Sequence, residues 1–418
     1  MPAARLRGRL RVPSDKSLSH RALIANALAG GPADVTVRAP GLDVRSTAQC
    51  LRALGVEVVE TASGFHVEGR PTRDGATLDC GNSGTTMRLL AGMIAGLPLR
   101  ATLDGDASLR ARPMERVATV LRAAGAEVDT TDGRAPLRVQ GRERLRAVTH
   151  RLPVASAQLI GAAALAAMSA EGETQIESPG PTRDHTERML AAMGVPIERT
   201  GNVTTLTGPA RPAPRSMAVA GDPSSAAAWL VAGTIHPDAD LVIEDVLLNP
   251  TRLAVVEVLR RMGARIDVSP TETDGLEPTG DVRVRSVPHL AATTIAGDEV
   301  ASLIDELPLL AIAMAAANGT SELRGAAELR VKESDRVSAV VAGLRAIGAE
   351  ADELPDGWRV RRGTPREAEI ATLGDHRIAI AFAIAALAGV AAAVRLDDAA
   401  STSVSYPTFW DDLAAVQA

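Results

Sequence analysis

A short pattern, Leu-x-x-x-Gly followed by a stretch typical of a β-strand, recurs along the whole chain. It begins at Leu51, Leu121, Leu190, Leu259 and Leu344, and Leu413 continues the series without the glycine. Successive leucines are 70, 69, 69, 85 and 69 residues apart. An interval this regular is typical of a repeated supersecondary unit. The chain therefore predicts six copies of one unit.

Each copy also contains a second, more apolar helix. Examples are SAQLIGAAALAAMSAEG (156–172) and DHRIAIAFAIAALAGV (375–390), which are apolar on all sides beyond the first turn. A helix of this kind is buried, and Ser156, Asp222 and Asp375 are predicted to cap three of these helices. The short alternating stretches between helices predict strands. The proline-rich segment 209–221 separates three copies from three, which predicts two α/β domains. The alternative is a solenoid, although its repeats are usually shorter, roughly 20–50 residues.

Composition narrows the class of function. Only 2% of the 418 residues are aromatic and the net charge is −6, which argues against a nucleic-acid partner. Two cysteines, Cys50 and Cys80, suggest no disulfide framework and a reducing cytoplasm. The amino-terminal arginines are followed by no apolar core, so no secretory signal is predicted. The apolar run 378–394 is not predicted to span a membrane, because Gly389 lies where its helix should end.

The chain has 45 basic residues, of which only Lys16 and Lys332 are lysines. An ammonium is a compact charge whose pKa can shift on burial, whereas a guanidinium stays charged. Both lysines lie in polar clusters, SDKSLSHR and RVKESDR. They are therefore candidates for positions where arginine cannot substitute, and the alternative is that two solvated lysines survived by chance.

The first turns of the predicted helices are polar, and they differ between copies. Helix amino termini bind anions, and arginine strengthens such sites by binding carboxylate or phosphate with two hydrogen bonds. The Gly-rich loop 81–86 enters a helix but lacks the P-loop pattern. If these helix starts converge, the ligand carries several anionic groups. A single arginine at a helix start is more often a surface residue, and a non-catalytic anion-binding scaffold is the corresponding alternative.

The same helix starts contain candidates for acid–base chemistry and metal binding. Asp305 opens an apolar helix, where burial can raise the pKa of a carboxyl group and suit it to proton transfer. Glu306 is equally well placed by sequence alone. His376 in GDHR is predicted to be structural, since the seven histidines lack metal-ligand spacing. Cys80 is predicted to be a small buried residue.

In their order along the chain, eight motifs identify a family. They are DKSLSHR, GNSGTTMR, LRARPM, SAQ, PTRDHT, IDELP, RVKESDR and GDHR. Together with the sixfold repeat they resemble the enolpyruvyl transferases, in particular the branch acting on shikimate 3-phosphate, over nearly the whole chain.

The resemblance implies an α/β fold of two globular domains. Each domain would contain three βαβαββ units with buried helices, an inside-out α/β barrel, and the two would be hinged around a central cleft. One domain would be 15–220, on the shikimate 3-phosphate side. The other would combine 1–14 with 221–418, on the phosphoenolpyruvate side, and carry Asp305.

The implied activity is that of an enzyme, a 1-carboxyvinyltransferase of the shikimate pathway leading to chorismate and the aromatic amino acids. It would move the enolpyruvyl group of phosphoenolpyruvate to the 5-hydroxyl of shikimate 3-phosphate and release phosphate. We expect no cofactor, no metal, no membrane or nucleic-acid partner, and a cytoplasmic monomer. The alternative is the sister enzyme acting on UDP-N-acetylglucosamine, which uses a loop cysteine where this chain has LRARPM.

The resemblance also implies roles for individual residues. Shikimate 3-phosphate would be bound by Lys16, Ser17, Arg21, Ser156, Ala157 through its backbone, Gln158, Arg183, Asp305 and Lys332. Phosphoenolpyruvate would be bound by Lys16, Gly84, Arg112, Gln158, Arg336 and Arg377. Asp305 would take the proton of the 5-hydroxyl, Glu333 would give a proton to the methylene carbon, and Lys16 would aid proton transfer.

The sequence departs from the family pattern at two positions. Val404 stands where many members have a lysine, so one contact to phosphoenolpyruvate is expected to be missing. Leu89 stands where members often have proline. Gly84 keeps the small residue typical of members sensitive to glyphosate, an analogue of phosphoenolpyruvate, and we expect sensitivity.

Overall fold

The computed structural model describes residues 5–271 and 276–417. The chain divides into two compact units. The continuous unit is Ser14–Val219, and the split unit combines Met1–Pro13 with Ala220–Ala418. The division therefore falls inside the proline-rich segment.

Strands and helices alternate along both units. The strands are β1 (Leu6–Leu10), β2 (Ala33–Thr36), β3 (Glu57–Thr61), β4 (Gly64–Glu68), β5 (Ala76–Asp79), β6 (Arg100–Asp104), β7 (Glu127–Thr131), β8 (Arg134–Gln140), β9 (Leu145–Arg146), β10 (Thr149–Arg151), β11 (Ala170–Glu177), β12 (Ile197–Thr200), β13 (Val203–Gly208), β14 (Met217–Ala218), β15 (Ala239–Leu247), β16 (Arg265–Thr271), β17 (Thr279–Arg285), β18 (Thr294–Ile295), β19 (Thr320–Leu323), β20 (Glu350–Leu354), β21 (Gly357–Arg361), β22 (Glu367–Ile370) and β23 (Ala393–Leu396).

The α-helices are α1 (Lys16–Ala29), α2 (Leu42–Ala53), α3 (Gly84–Ala95), α4 (Ala107–Ala111), α5 (Glu115–Ala124), α6 (Ala157–Ala167), α7 (His185–Ala192), α8 (Pro223–Ile235), α9 (Ala254–Arg261), α10 (Glu299–Leu303), α11 (Leu307–Ala316), α12 (Arg336–Ala346), α13 (His376–Leu387) and α14 (Phe409–Ala415). Short 3-10 helices cover Pro250–Arg252, Ala327–Val331 and Ala399–Val404.

The predicted repeat is visible in the sheets. Five sheets share one plan, in which an edge strand runs parallel to a second strand that is followed by two antiparallel strands, as in the order β5-β6-β8-β7. A sixth sheet has only the parallel pair β22 and β23. Three sheets belong to each unit, and the described strands form separate sheets rather than one continuous barrel. The chain thus forms two compact α/β units and not a solenoid.

The Leu-x-x-x-Gly pattern is a helix ending. All five glycines have left-handed φ angles, from 85° at Gly194 to 104° at Gly125 and Gly263. Glycine adopts this conformation without the steric cost that a Cβ would add. In each of these five copies the carbonyl of the leucine accepts the N–H of the residue after the glycine, at 2.9–3.2 Å. This is the Schellman arrangement, which explains why both residues recur.

The second helix of each copy is an inner helix. In the split unit, α8, α11 and α13 pack against one another and against strands β15, β19, β21 and β23. In the continuous unit, α3 packs against α1 and α6. The caps predicted at Ser156, Asp222 and Asp375 are confirmed, since each side chain accepts a backbone N–H of the first turn. Because these helices are buried on all sides, their polar first turns are the places where polar chemistry can occur.

In each unit, one edge strand lies next to a chain connection that leads to the other unit. Strand β1 pairs in parallel with β15 in the split unit, but it leads into α1 of the continuous unit. Strand β14 pairs in parallel with β2 in the continuous unit, but it leads into α8 of the split unit.

Within residues 5–271 and 276–417, no helix is long and apolar enough to cross a membrane. The apolar run 378–394 contains the end of α13 at Leu387 and the start of β23, with Gly389 at a φ of 74° between them.

Candidate functional site

Lys16 opens helix α1 of the continuous unit. The preceding Asp15 caps the helix, with its side chain accepting the N–H of Leu18 at 2.8 Å. The Lys16 Nζ lies 3.1 Å from Oδ2 of Asp43, at the start of α2. The Lys16 side chain is 17% exposed and that of Asp43 9%. The ammonium is therefore held at a helix start, partly open to a ligand.

Arg21 lies one turn further along α1 and joins three helices. Its Nε donates to Oγ1 of Thr186 at 2.7 Å, its Nη1 to the Ser17 carbonyl at 3.0 Å and its Nη2 to the Ala157 carbonyl at 3.3 Å. The predicted residues Ser17, Arg21 and Ala157 are thus brought together. Arg183 is half-buried just before α7, three residues ahead of Thr186.

Gly84 begins α3 beside two guanidinium groups. Ser83 caps the helix by accepting the N–H of Thr86 at 3.1 Å. A Cβ added to Gly84 would lie 2.6 Å from Nη1 of Arg88 and 3.4 Å from Nη1 of Arg112. Arg112 donates to the Asn82 side chain in the same loop. The backbone N–H groups of a helix start and the neighbouring guanidinium groups together suit an anion at this position.

Gln158, in the first turn of α6, is oriented by two residues of α3. Its Oε1 accepts from Nη1 of Arg88 and its Nε2 donates to Oγ1 of Thr85, both at 2.9 Å. Ser156 caps the same helix through the N–H of Leu159. We call the following residues the continuous-unit cluster: Lys16, Ser17, Arg21, Gly84, Arg112, Ser156, Ala157 and Gln158.

In the split unit, Asp305 lies between α10 and α11 beside two arginines. Its Oδ1 is 3.6 Å from Nε of Arg377 and 3.8 Å from Nη1 of Arg336. Arg377 also donates to the Asp305 carbonyl at 3.0 Å. The Asp305 side chain is 22% exposed, so this carboxylate can reach a ligand.

Arg336 is almost fully buried and is held by two carboxylates. Its Nε and Nη2 donate to Asp375 at 2.8 and 3.2 Å, and Nη2 also donates to Oε2 of Glu333 at 2.5 Å. Burial alone would raise the pKa of Asp375, but the Arg336 guanidinium outweighs burial and holds that pKa below its ordinary value. Nη1 of Arg336 is buried and has no hydrogen-bond partner among the described residues.

Lys332 completes the set of predicted residues in this unit. It is half-buried at the end of the 3-10 helix Ala327–Val331. Burial lowers its pKa, although the carboxylates of Asp305, Glu328 and Glu333 oppose this. We call Asp305, Lys332, Glu333, Arg336 and Arg377 the split-unit cluster.

Asp305 and Glu306 are equally plausible site residues by sequence alone, but in the structure their surroundings differ. Glu306 is 2% exposed and accepts a hydrogen bond from the Ser224 hydroxyl. Arg252, also buried, donates to Ser224 at 2.9 Å and to Asp222 at 3.0 Å. Glu306 therefore belongs to a buried structural network, and of the two neighbours it is Asp305 that lines a pocket. That pocket is lined by Asp222, Ser224, Ser225, Asp305, Pro308, Leu309, His376, Arg377, Ile380 and Ser405.

The residues that contact the clusters include three charged ones that were not predicted as site residues. They are Asp43, Arg88 and Asp375, the partners of Lys16, Gln158 and Arg336. All three are polar residues in or next to a first turn, so the pattern of polar helix starts was the available signal. His376 is buried at the start of α13, and Cys50 and Cys80 are buried free thiols.

Comparison with known proteins points to one activity. The family model for EPSP synthase (3-phosphoshikimate 1-carboxyvinyltransferase) matches residues 1–413. The chain is 49% identical to the 3-phosphoshikimate 1-carboxyvinyltransferase of Chloroflexus aurantiacus, over 99% of this chain and 97% of the relative. It is 46% identical to that of Acidithiobacillus ferrooxidans, over 98% and 95%.

Solved structures agree. An EPSP synthase from Acinetobacter baumannii superimposes with a TM-score of 0.86 at 37% identity, over 100% of this chain and 97% of the other. The enolpyruvyl transferase NikO from Streptomyces tendae, at 20% identity and a TM-score of 0.79 over 100% and 96%, shares the fold.

Proposed function

The chain belongs to the EPSP synthase family, and we propose how its two clusters carry out the reaction of that family. The reaction transfers the enolpyruvyl group of phosphoenolpyruvate to the 5-hydroxyl of shikimate 3-phosphate. The hydroxyl oxygen adds to C2 of phosphoenolpyruvate while C3 gains a proton. Loss of phosphate with cleavage of the C–O bond, and loss of a proton from C3, then restores the methylene group.

Shikimate 3-phosphate is bound at the starts of α1 and α6. Lys16, Ser17, Arg21, Ser156, the Ala157 backbone, Gln158, Arg183 and Lys332 supply the donors for its phosphate, carboxylate and hydroxyl groups. Asp305 accepts from the 5-hydroxyl. The tie between Arg21 and the Ala157 carbonyl supports this assignment, because it fixes two of these donors in one geometry before substrate arrives.

Phosphoenolpyruvate is bound by Gly84, Arg112, Gln158 and Lys16 in the continuous unit and by Arg336 and Arg377 in the split unit. The strongest support for this proposal comes from the surroundings of Arg336. Arg336 Nη1 is a buried, cationic donor without a hydrogen-bond partner in the described part of the chain, and it lies 3.8 Å from Asp305. Since leaving such a donor unpaired is costly, the arrangement suits an anionic ligand next to the proposed base.

The proton steps fall to the carboxylates and the ammonium groups. Asp305 accepts the proton of the 5-hydroxyl, and its Oδ1 lies 3.6 Å from Nε of Arg377 and 3.8 Å from Nη1 of Arg336. Glu333 delivers a proton to the methylene carbon, and its contact with Arg336 keeps it beside the proposed carboxylate site. Lys16 aids proton transfer at the reacting oxygen.

One assay tests the proposal against its alternatives. Purified protein is incubated with phosphoenolpyruvate and either shikimate 3-phosphate or UDP-N-acetylglucosamine, and released phosphate is measured. We expect release only with shikimate 3-phosphate. Release only with the sugar nucleotide would favour the sister enzyme, and no release with either would favour a binding scaffold. A cytoplasmic monomer without cofactor stays a prediction, to be tested by gel filtration and by assay after exhaustive chelation.

A further inference from the structure

A chain of buried hydrogen bonds lies beneath the continuous-unit cluster. His20 Nδ1 is 2.7 Å from the Thr47 hydroxyl, which is 2.7 Å from the Thr86 hydroxyl, which donates to the Ser83 hydroxyl at 2.7 Å. All four residues are 0% exposed. The 2.7 Å separation is the usual distance for a hydrogen bond between hydroxyl groups, and because the four residues are buried, water does not compete for these bonds.

This series of hydrogen bonds joins α1, α2 and α3 near their starts, at positions close to site residues. His20 lies one turn after Lys16 in α1, and Thr47 lies one turn after Asp43 in α2. Ser83 and Thr86 bracket Gly84 at the start of α3. Helices that touch only through apolar side chains can slide by fractions of an ångström, whereas directional hydrogen bonds between them fix their register.

All the hydrogen bonds in this series run in one direction, each group donating to the next from His20 to Ser83. His20 Nε2 is buried without a hydrogen-bond partner among the described residues. Because an orphaned N–H is rarer in native proteins than an orphaned acceptor, the proton belongs on Nδ1, which donates to Thr47. Thr47 then donates to Thr86, and Thr86 to Ser83. Burial, with added effects from Lys16 and Arg21, keeps the pKa of His20 well below its ordinary value, so the neutral ring that this direction requires is the stable form.

We propose that His20, Thr47 and Thr86 are positioning residues, which set the Gly84 backbone relative to the Lys16 ammonium and so tune the affinity for phosphoenolpyruvate. This rests on the proposed function, in which Gly84 and Lys16 contact that substrate. Small errors in the placement of binding groups are expensive, since a misplacement of about 1 Å can cost on the order of 100-fold in rate.

The test removes the hydroxyl groups and keeps the side-chain shape. We expect Thr47→Val and Thr86→Val each to raise the KM for phosphoenolpyruvate about five- to tenfold, the worth of one buried hydrogen bond. The kcat and the KM for shikimate 3-phosphate should stay within about twofold. Thr47→Ser and Thr86→Ser, which keep the hydroxyl, should restore the KM. Thr234→Val is the matched control, because that buried hydroxyl donates to the Leu230 carbonyl within α8, and its kinetics should match the wild type.

Selective 15N labelling of histidine gives a readout that does not depend on activity. The His20 ring should carry its proton on Nδ1 in the wild type and shift towards the Nε2-protonated form in Thr47→Val. An unchanged tautomer in the variant, or folded valine variants with unaltered KM, would overturn the inference. An inactive wild-type enzyme with the expected tautomer change would instead count against the proposed function and leave the hydrogen-bond chain supported.

Discussion

Arg336 holds Asp375 through two hydrogen bonds, from Nε to Oδ2 at 2.8 Å and from Nη2 to Oδ1 at 3.2 Å, with both side chains almost fully buried. Asp375 also caps α13 through the N–H of Arg377 at 2.9 Å. One carboxylate therefore fixes the two arginines that we assign to phosphoenolpyruvate.

Replacing Asp375 by asparagine should harm stability and binding together. Removing one partner of a buried ion pair leaves an uncompensated charge, which costs about 3–5 kcal/mol. Urea unfolding of Asp375→Asn measures this cost, and we also expect a higher KM for phosphoenolpyruvate. Glu369→Gln is the control, since its pair with Arg395 is exposed and should contribute little. Equal unfolding midpoints for the two variants would contradict the role of Asp375.

Lys16→Arg tests whether an ammonium is needed. The change keeps the charge, but the larger, forked guanidinium cannot occupy the same position or release a proton. We expect kcat to fall about 100-fold, in the range lost when a proton-transfer group is removed. Arg45→Lys in the exposed pair with Glu60 should leave kcat unchanged. Near-normal turnover of Lys16→Arg would count against the lysine argument.

The neighbouring carboxylates Asp305 and Glu306 should give opposite phenotypes. Asp305→Asn removes the proposed base from a partly exposed position, so we expect kcat to fall at least about 100-fold with little change in the unfolding midpoint. Glu306→Gln disturbs the buried network with Ser224 and Arg252, so stability should fall more than kcat. Rate measurements and urea unfolding of both variants test this assignment. A large loss of kcat in Glu306→Gln with a large loss of stability in Asp305→Asn would show that the two roles are reversed.

Glyphosate should inhibit the enzyme in competition with phosphoenolpyruvate. Gly84 leaves open the space beside Arg88 and Arg112 that a Cβ would enter. Gly84→Ala should therefore weaken both glyphosate inhibition and phosphoenolpyruvate binding. Initial rates at several concentrations of both compounds test this, and the absence of inhibition at millimolar glyphosate would refute it.

Stability should fall below neutral pH in part because of His20. In the unfolded chain a histidine binds its proton near pH 6.5, but burial keeps the folded pKa well below that value. The unfolded state therefore binds more protons as the pH falls below about 6.5, and the free energy of unfolding decreases by up to about 1.4 kcal/mol per pH unit. His20→Asn should flatten this dependence in urea titrations between about pH 5 and 7.

His66 supplies a control of opposite sign. Its pKa is raised, chiefly by a hydrogen bond to Asp34, so it favours the folded state as the pH falls. His66→Asn should therefore steepen the loss of stability that His20→Asn flattens. Parallel slopes for all three proteins would contradict both assignments.

The features that the sequence predicted well depend on contacts between residues close together in the chain. The cap at Asp222 and the helix ending at Leu51 and Gly55 depend on bonds within a few residues, and such bonds leave recognisable patterns. The sixfold repeat and the α/β class followed from these patterns.

What the sequence did not predict depends on long-range contacts. The bond between Arg88 and Gln158 joins residues 70 positions apart, and that between Arg336 and Asp375 spans 39. The choice between Asp305 and Glu306 depends on which side chain packs against Arg252, and adjacent residues of like charge give no signal for it. Thr47 and Thr86 give no signal in the sequence either, because hydroxyl residues are common near helix starts for capping alone.

The pairing of β1 with β15 has a consequence for biosynthesis. The ribosome makes Leu6–Leu10 early, but its parallel partner begins at Ala239, 233 residues after Leu6 (239 − 6). At about 5–20 residues per second, the first strand waits on the order of 10–50 s for that partner to emerge. During this interval the continuous unit can acquire every strand it needs, ending with Met217–Ala218. Deleting the first ten residues removes β1 and should therefore impair folding of the split unit. The continuous unit, which begins directly after this segment, should still fold.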